Sequence, residues 1–170
     1  MDSPTKGPEF NTKIPLKVTI STSTSSTDRI SDRQSIDLDI SVQNTSPEPV
    51  LFLRWLSPLD PKAPAMGLFV FTSIKDGTQA TAMNLKISRM LPEGGNYSAE
   101  DVVKIDGNGS INQKIAIKSP EVVLERGERY SVVAKGTWLH VKPGDHSTLS
   151  TADDNVLRGG FESNIAEIIA

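Results

Sequence analysis

A chain of 170 residues, 36% hydrophobic and 23% charged, has the size and composition of a folded domain able to bury roughly two-thirds of its unfolded surface, and neither disorder nor a membrane protein is suggested. The net charge of -3, with lysines and arginines scattered among acids, offers no basic stripe for nucleic acid, and no apolar run reaches the length of a membrane span. With no cysteine, a disulfide framework, a thiolate metal site and a cysteine nucleophile are all excluded, so stability has to come from packing.

Residues 1–13 read as a tag or disordered leader, with MDSPTKGPEF resembling vector sequence, and residues 14–170 as one domain. Residues 15–20 (PLKVTI) alternate Leu16, Val18 and Ile20 with polar neighbours, the period of a half-buried strand. The Ser/Thr-rich residues 21–32 read as a solvated connection or, alternatively, a modified segment. Residues 35–43 (SIDLDISVQ) send Ile36, Leu38, Ile40 and Val42 one way and Asp37, Asp39 and Ser41 the other, so a sheet face is buried there. After the turn formers of residues 44–49, the apolar run 50–56 (VLFLRWL) fits a central strand.

Asp76-Gly77 between residues 68–74 and 80–87 predicts a tight hairpin, and Asp106-Gly107-Asn108-Gly109 between 102–105 and 111–118 predicts another turn back of the chain. Residues 130–138 predict a long strand, with Tyr130 placed as the tyrosine-corner residue of sandwich domains is placed. Residues 140–160, polar and glycine-rich, are expected to make a long excursion; residues 161–169 predict a closing strand, although their composition also permits a short helix. The expected fold is all-β, an immunoglobulin-like antiparallel sandwich of about seven to nine strands.

Residues 15–44, the loop Trp55-Leu56-Ser57-Pro58-Leu59-Asp60, Phe69-Val70-Phe71 leading to Lys75-Asp76-Gly77, and the approach Leu124-x-x-Gly127-x-x-Tyr130 together resemble the non-catalytic β-sandwich region that precedes the catalytic domain in deuterolysin-type zinc metallopeptidases, chiefly fungal. The resemblance covers about residues 15 to 138 and implies a module that masks, assists or inhibits a peptidase. The peptidases' His-Glu-x-x-His helix has no counterpart: the chain has only His140 and His146, so no catalytic residue carries over and no enzyme activity is expected.

Nothing else in the residues points to catalysis or to a cofactor. His140 and His146 are expected at the surface, since they lack the spacing of zinc ligands on one helix face. Asp106, Asn108, Ser110 and Asn112 have the alternate oxygens of a calcium loop, but Ile117 stands where its closing glutamate belongs; Asp153-Asp154-Asn155 reads as an exposed acidic loop. No Gly-x-Ser-x-Gly elbow or phosphate-binding glycine loop occurs.

Residues 56–67 (LSPLDPKAPAMG) carry three prolines expected to hold an extended loop with Leu59 and Met66 projecting outward. The expected role is a protein-binding module, its partner a peptidase as the resemblance implies, with Trp55, Leu56, Pro58, Leu59, Asp60 and Met66 as contact residues. The alternative is a carbohydrate-binding sandwich with Trp55 and Trp138 stacking on sugars. Asn44, Asn96 and Asn108 begin N-glycosylation triplets, which leaves secreted and cytoplasmic locations both open, and an exposed closing strand would permit a homodimer.

Overall fold

The computed structural model describes residues 14–22, 35–154 and 156–170; the expected leader, most of the Ser/Thr-rich connection and Asn155 lie outside them. Among the described residues the chain forms eleven strands and one turn of 3-10 helix, with no α-helix. Nine of the strands have four residues or more.

β1 (Leu16–Thr22), β2 (Ser35–Asn44) and β7 (Ser110–Lys118) form a three-stranded antiparallel sheet with β2 in the middle. Its register pairs like with like: Val18 faces Val42, Ile20 faces Ile40, and Leu38 faces Ile115. The alternation read in residues 35–43 is what aims Leu38, Ile40 and Val42 inward, where they are fully enclosed. Each such burial contributes about 1.5–3 kcal/mol.

The facing sheet is organised by β9 (Arg129–Pro143), a strand of 15 residues. Its first half pairs with β4 (Phe69–Ser73) on one edge and β11 (Ala166–Ile169) on the other. Its second half pairs with β3 (Val50–Leu53) and β10 (Leu157–Glu162), and β6 (Val102–Ile105) lies beyond β3. Gly136 marks the change of partners: a Cβ there would meet the Phe161 ring at 2.9 Å and Leu68 Cδ2 at 3.2 Å. The inner faces of both sheets meet in one cluster around Trp138, whose ring lies 5.0 Å edge-on from Phe52 and 4.9 Å from Phe161.

Several sequence expectations need correction. The run 50–56 ends as a strand at Leu53, although β3 is indeed central, between β9 and β6. The Asp76-Gly77 turn forms, with Gly77 at φ 76, but its return arm is short: after Gln79 bridges Thr72, β5 (Thr81–Ala82) pairs instead with β8 (Val122–Val123). Residues 83–95 form no strand. The second turn reverses the chain, yet β6 and β7 enter different sheets, and the Asn44 side chain, donating to the carbonyls of Ile105, Asp106 and Glu48, ties that corner to the end of β2. The expected tyrosine corner is present: the Tyr130 hydroxyl accepts the Glu125 N–H at 2.8 Å. β9 runs on to Pro143, so the excursion begins at Gly144, and the closing segment is strand, broken at residues 163–165.

At that break the Asn164 side chain acts as a one-residue strand. Its Oδ1 accepts the Ile20 N–H at 2.8 Å and its Nδ2 donates to the Ile20 carbonyl at 3.0 Å, joining β1 to the second sheet. The closing segment's outer edge, expected to be open to a second copy, is thus faced by β1. Asn164→Ala leaves both Ile20 groups without this partner and should lower the unfolding free energy by about 1–3 kcal/mol, read by urea denaturation; an unchanged midpoint would show that Asn164 does not close the sandwich.

Candidate functional site

The outer face of the second sheet carries a further layer. In β3 all four residues are buried: Val50 and Phe52 face the main core, while Leu51 and Leu53 face outward under Leu149, Trp55, Tyr97 and Leu139. A bulge in β9 shapes this layer. Leu157 and Gly159 of β10 pair with Val141 and Trp138, so β9 has one extra residue there, and Trp138 and Val141 both enter the core. Leu139 and His140 therefore lie on the outer side, where His140 is only 4% exposed, its ring 5.8 Å edge-on from Tyr97. Two loops cover this face and zip to each other, Tyr97 N–H to Leu149 carbonyl at 2.9 Å and Thr151 N–H to Gly95 carbonyl at 2.7 Å.

His140, expected at the surface, is thus buried, because the bulge turns it beneath Tyr97. Burial holds its pKa below the ordinary 6.5, against the opposing pull of Asp153, whose Oδ2 lies 3.4 Å from Nε2. For Asp153 itself burial works upward, but the Ser150 N–H at 2.8 Å and the Lys142 ammonium at 3.1 Å act the other way, and its pKa is held below 3.8. Asp153 is therefore committed to fixing a loop. Among the described residues no three His, Asp or Glu side chains converge as a metal site would require.

The proline-rich crossover lies beside this layer, and it is compact where extension was expected. Successive turns close it, Ser57 N–H to Arg54 carbonyl, Asp60 to Ser57, Ala63 to Asp60 and Leu68 to Ala63. The turns carry Leu59 inward to complete burial, and Pro58 and Asp60 are buried with it. Of the six expected contact residues, only Trp55, Leu56 and Met66 reach solvent, each in part. Leu56 adopts φ 62, and the Asp60 carboxylate accepts its N–H at 2.9 Å.

Asp60, 1% exposed, links crossover to surface. Its Oδ1 accepts the Lys62 N–H and the Arg89 Nη2 at 2.9 Å each, and Arg89 Nη2 is also 2.9 Å from Oδ2. The Arg89 guanidinium lies over the Trp55 ring, 5.5 Å from its centroid, and Trp55 meets Tyr97 edge-on at 5.3 Å. This chain of contacts seats residues 83–92. Further attachments are Met83 N–H to Glu121 carbonyl and Leu85 N–H to Ala65 carbonyl, and the close approach of Asn84 leaves no room for a Cβ on Gly67. Among the side chains the seated segment turns to solvent, Met90 is 91% exposed and Leu91 64%.

Sequence reasoning missed Arg89, Met90, Leu91 and Tyr97. Arg89, Met90 and Leu91 lie just past residues 80–87, the run expected to be the return strand of the hairpin. Of the three glycosylation candidates, Asn96 and Asn108 are exposed. Asn44 is fully buried, with its amide nitrogen donating to three carbonyls, so the folded chain has no room for a glycan on it.

A family model for the immunoglobulin-like domain matches residues 18–169. The chain is also 28% identical over 138 residues to a protein of Arthroderma benhamiae described as an uncharacterized secreted protein, an alignment spanning 78% of this chain and 68% of that one.

Two expectations test the site. Asp60→Ala strands the Arg89 charge and frees the Leu56 and Lys62 amides, and should cost about 3 kcal/mol by denaturant unfolding; a loss under about 0.5 kcal/mol, the range of an ordinary surface change, would refute the clamp. As pH falls, the unfolded chain protonates its histidine before the folded chain protonates His140, so stability from the neutral ring is complete above pH 6.5 and is lost as pH falls through the lowered folded value. Melting temperature should therefore drop between about pH 7 and about pH 5 in the wild type and drop less in His140→Gln, whereas equal slopes would contradict the assignment.

Proposed function

The chain belongs to the immunoglobulin-like domain family, and from that premise we propose that it is a non-enzymatic protein-binding module whose contact surface is the segment 83–92. Sandwich domains hold variable loops on a rigid scaffold, and side chains clustered on a fixed loop lose little freedom on binding. The observation that carries the proposal is the pairing of exposed Met90 and Leu91 with the Asp60–Arg89–Trp55 clamp directly beside them.

The resemblance to the sandwich region of deuterolysin-type metallopeptidases supports a peptidase as the partner, which the domain would mask, assist or inhibit. The similarity to a secreted protein of Arthroderma benhamiae supports an extracellular setting. The carbohydrate reading has less behind it: Trp138 is enclosed in the core, and half-buried Trp55 carries Arg89 over its ring.

The double variant Met90→Asp/Leu91→Asp should melt within about 0.5 kcal/mol of the wild type, since both side chains face water. It should lose the protein that the wild type captures from fungal culture fluid, with direct binding of that protein, once purified, weakened about thirtyfold or more. Equal binding by wild type and double variant would remove this segment as the contact surface.

A further inference from the structure

The three triplets that fit the acceptor pattern for N-glycosylation, Asn44-Thr45-Ser46, Asn96-Tyr97-Ser98 and Asn108-Gly109-Ser110, are treated differently by the fold. Asn108 lies in the turn between β6 and β7, and Asn96 lies where the two covering loops meet, bridged to Ser150. Both are exposed, as are Ser98 and Ser110, and among the described residues neither carboxamide has a hydrogen-bond partner. Asn44 is 0% exposed. Its Nδ2 donates to the carbonyls of Glu48, Ile105 and Asp106 at 2.7, 3.2 and 3.1 Å, and its Oδ1 accepts the Ser46 N–H at 3.0 Å and the Ser46 hydroxyl at 2.8 Å. A glycan on Nδ2 takes one of the two hydrogens that serve these carbonyls and has no space at that corner, so it is incompatible with the fold.

Burial does not by itself protect Asn44, because oligosaccharide is transferred to a chain as it enters the secretory compartment, before folding encloses the residue. Protection has to be local. Ser46 is followed by Pro47, whose ring confines the residue before it to extended geometry and so obstructs the bent conformation in which a transferase holds asparagine and hydroxyl together. Ala99 and Ile111 occupy the corresponding places after Ser98 and Ser110 and impose no such restriction. The triplet that must stay bare is thus the closed one, and the two with room for a glycan are open.

We propose that Asn96 and Asn108 carry N-linked glycans and that Pro47 keeps Asn44 free of one. In each transfer the asparagine Nδ2 bonds to the anomeric carbon of an oligosaccharide supplied on a lipid diphosphate. The bond from that carbon to the diphosphate oxygen breaks, the lipid diphosphate leaves with its electron pair, and one amide proton is released. The assignment is independent of the protein-binding reading above and of the surface a partner would use.

The test is secretion of the full chain from yeast behind a secretion signal, followed by peptide N-glycosidase in heavy-oxygen water. That treatment leaves a labelled aspartate wherever an asparagine bore a glycan, and peptide mass spectrometry locates the labels. Label is expected at Asn96 and Asn108 and not at Asn44, and Ser98→Ala and Ser110→Ala should each abolish one label only. Pro47→Ala should open Asn44, with label at that position in the chains retained inside the cell and a several-fold fall in secreted yield, since a glycosylated Asn44 cannot enter its corner. Reading the retained chains keeps this arm decisive even where the variant folds poorly. Three outcomes would overturn the proposal: no label at Asn96 or at Asn108, label at Asn44 in the wild type, or no label at Asn44 in any pool of Pro47→Ala.

Discussion

β9 must satisfy hydrogen bonds on both edges along 15 residues, and no single straight partner accompanies it on either side. β4 and β3 share one edge and β11 and β10 the other, so the strand has to change neighbours midway. Gly136 makes room at that point, and the bulge at Leu139 and His140 restores the inward direction of Val141 after Trp138. The same bulge displaces His140 to the outer face, where Tyr97 covers it, and Tyr97 in turn supports Trp55. A demand of backbone pairing thereby ends as the platform beneath Arg89 and the exposed segment.

The clamp itself is not cheap. Burying the Asp60 carboxylate removes it from water, and an ion pair in such a place often does no better for stability than apolar residues of the same volume. What the pair gives is a fixed geometry: two backbone amides and one guanidinium converge on a single carboxylate, which leaves Arg89 one position. An apolar contact would let residues 83–92 slide. The opposite treatment is seen at Asn44 and Asn164, uncharged amides that donate and accept in balance and so close the ends of the sandwich without a buried charge.

The strands were legible where one face is wet and one is dry. Residues 35–43 announced their register because a period of two in hydrophobicity has one structural meaning, and Tyr130 announced its corner through its spacing from Gly127. Leu59 misled because proline-rich sequence is compatible with extension and with consecutive turns alike; the choice between them lay in Asp60, whose side chain caps amides at Leu56 and Lys62 and cannot be weighed until the chain is folded. His140 misled for a related reason. A bulge is a property of two strands in register, and residues 130–143 read alone carry no sign of the extra residue.

Residues 80–87 show the limit most clearly. Thr81 and Ala82 find a neighbour in β8, but Asn84 at φ 51 leaves the extended region, and a segment becomes a strand only where a neighbour accepts its hydrogen bonds. After Ala82 the neighbour β8 ends, and the chain continues over the protein surface attached by side chains and isolated amides. Lys86 and Glu93 lie on either side of exposed Met90 and Leu91, charges that work against edge-to-edge aggregation. What holds residues 83–92 against the domain is therefore not a sheet neighbour; it is side-chain contact, chiefly the ion pair of Arg89 with the buried Asp60 carboxylate, beside the isolated amide bond of Leu85 to Ala65.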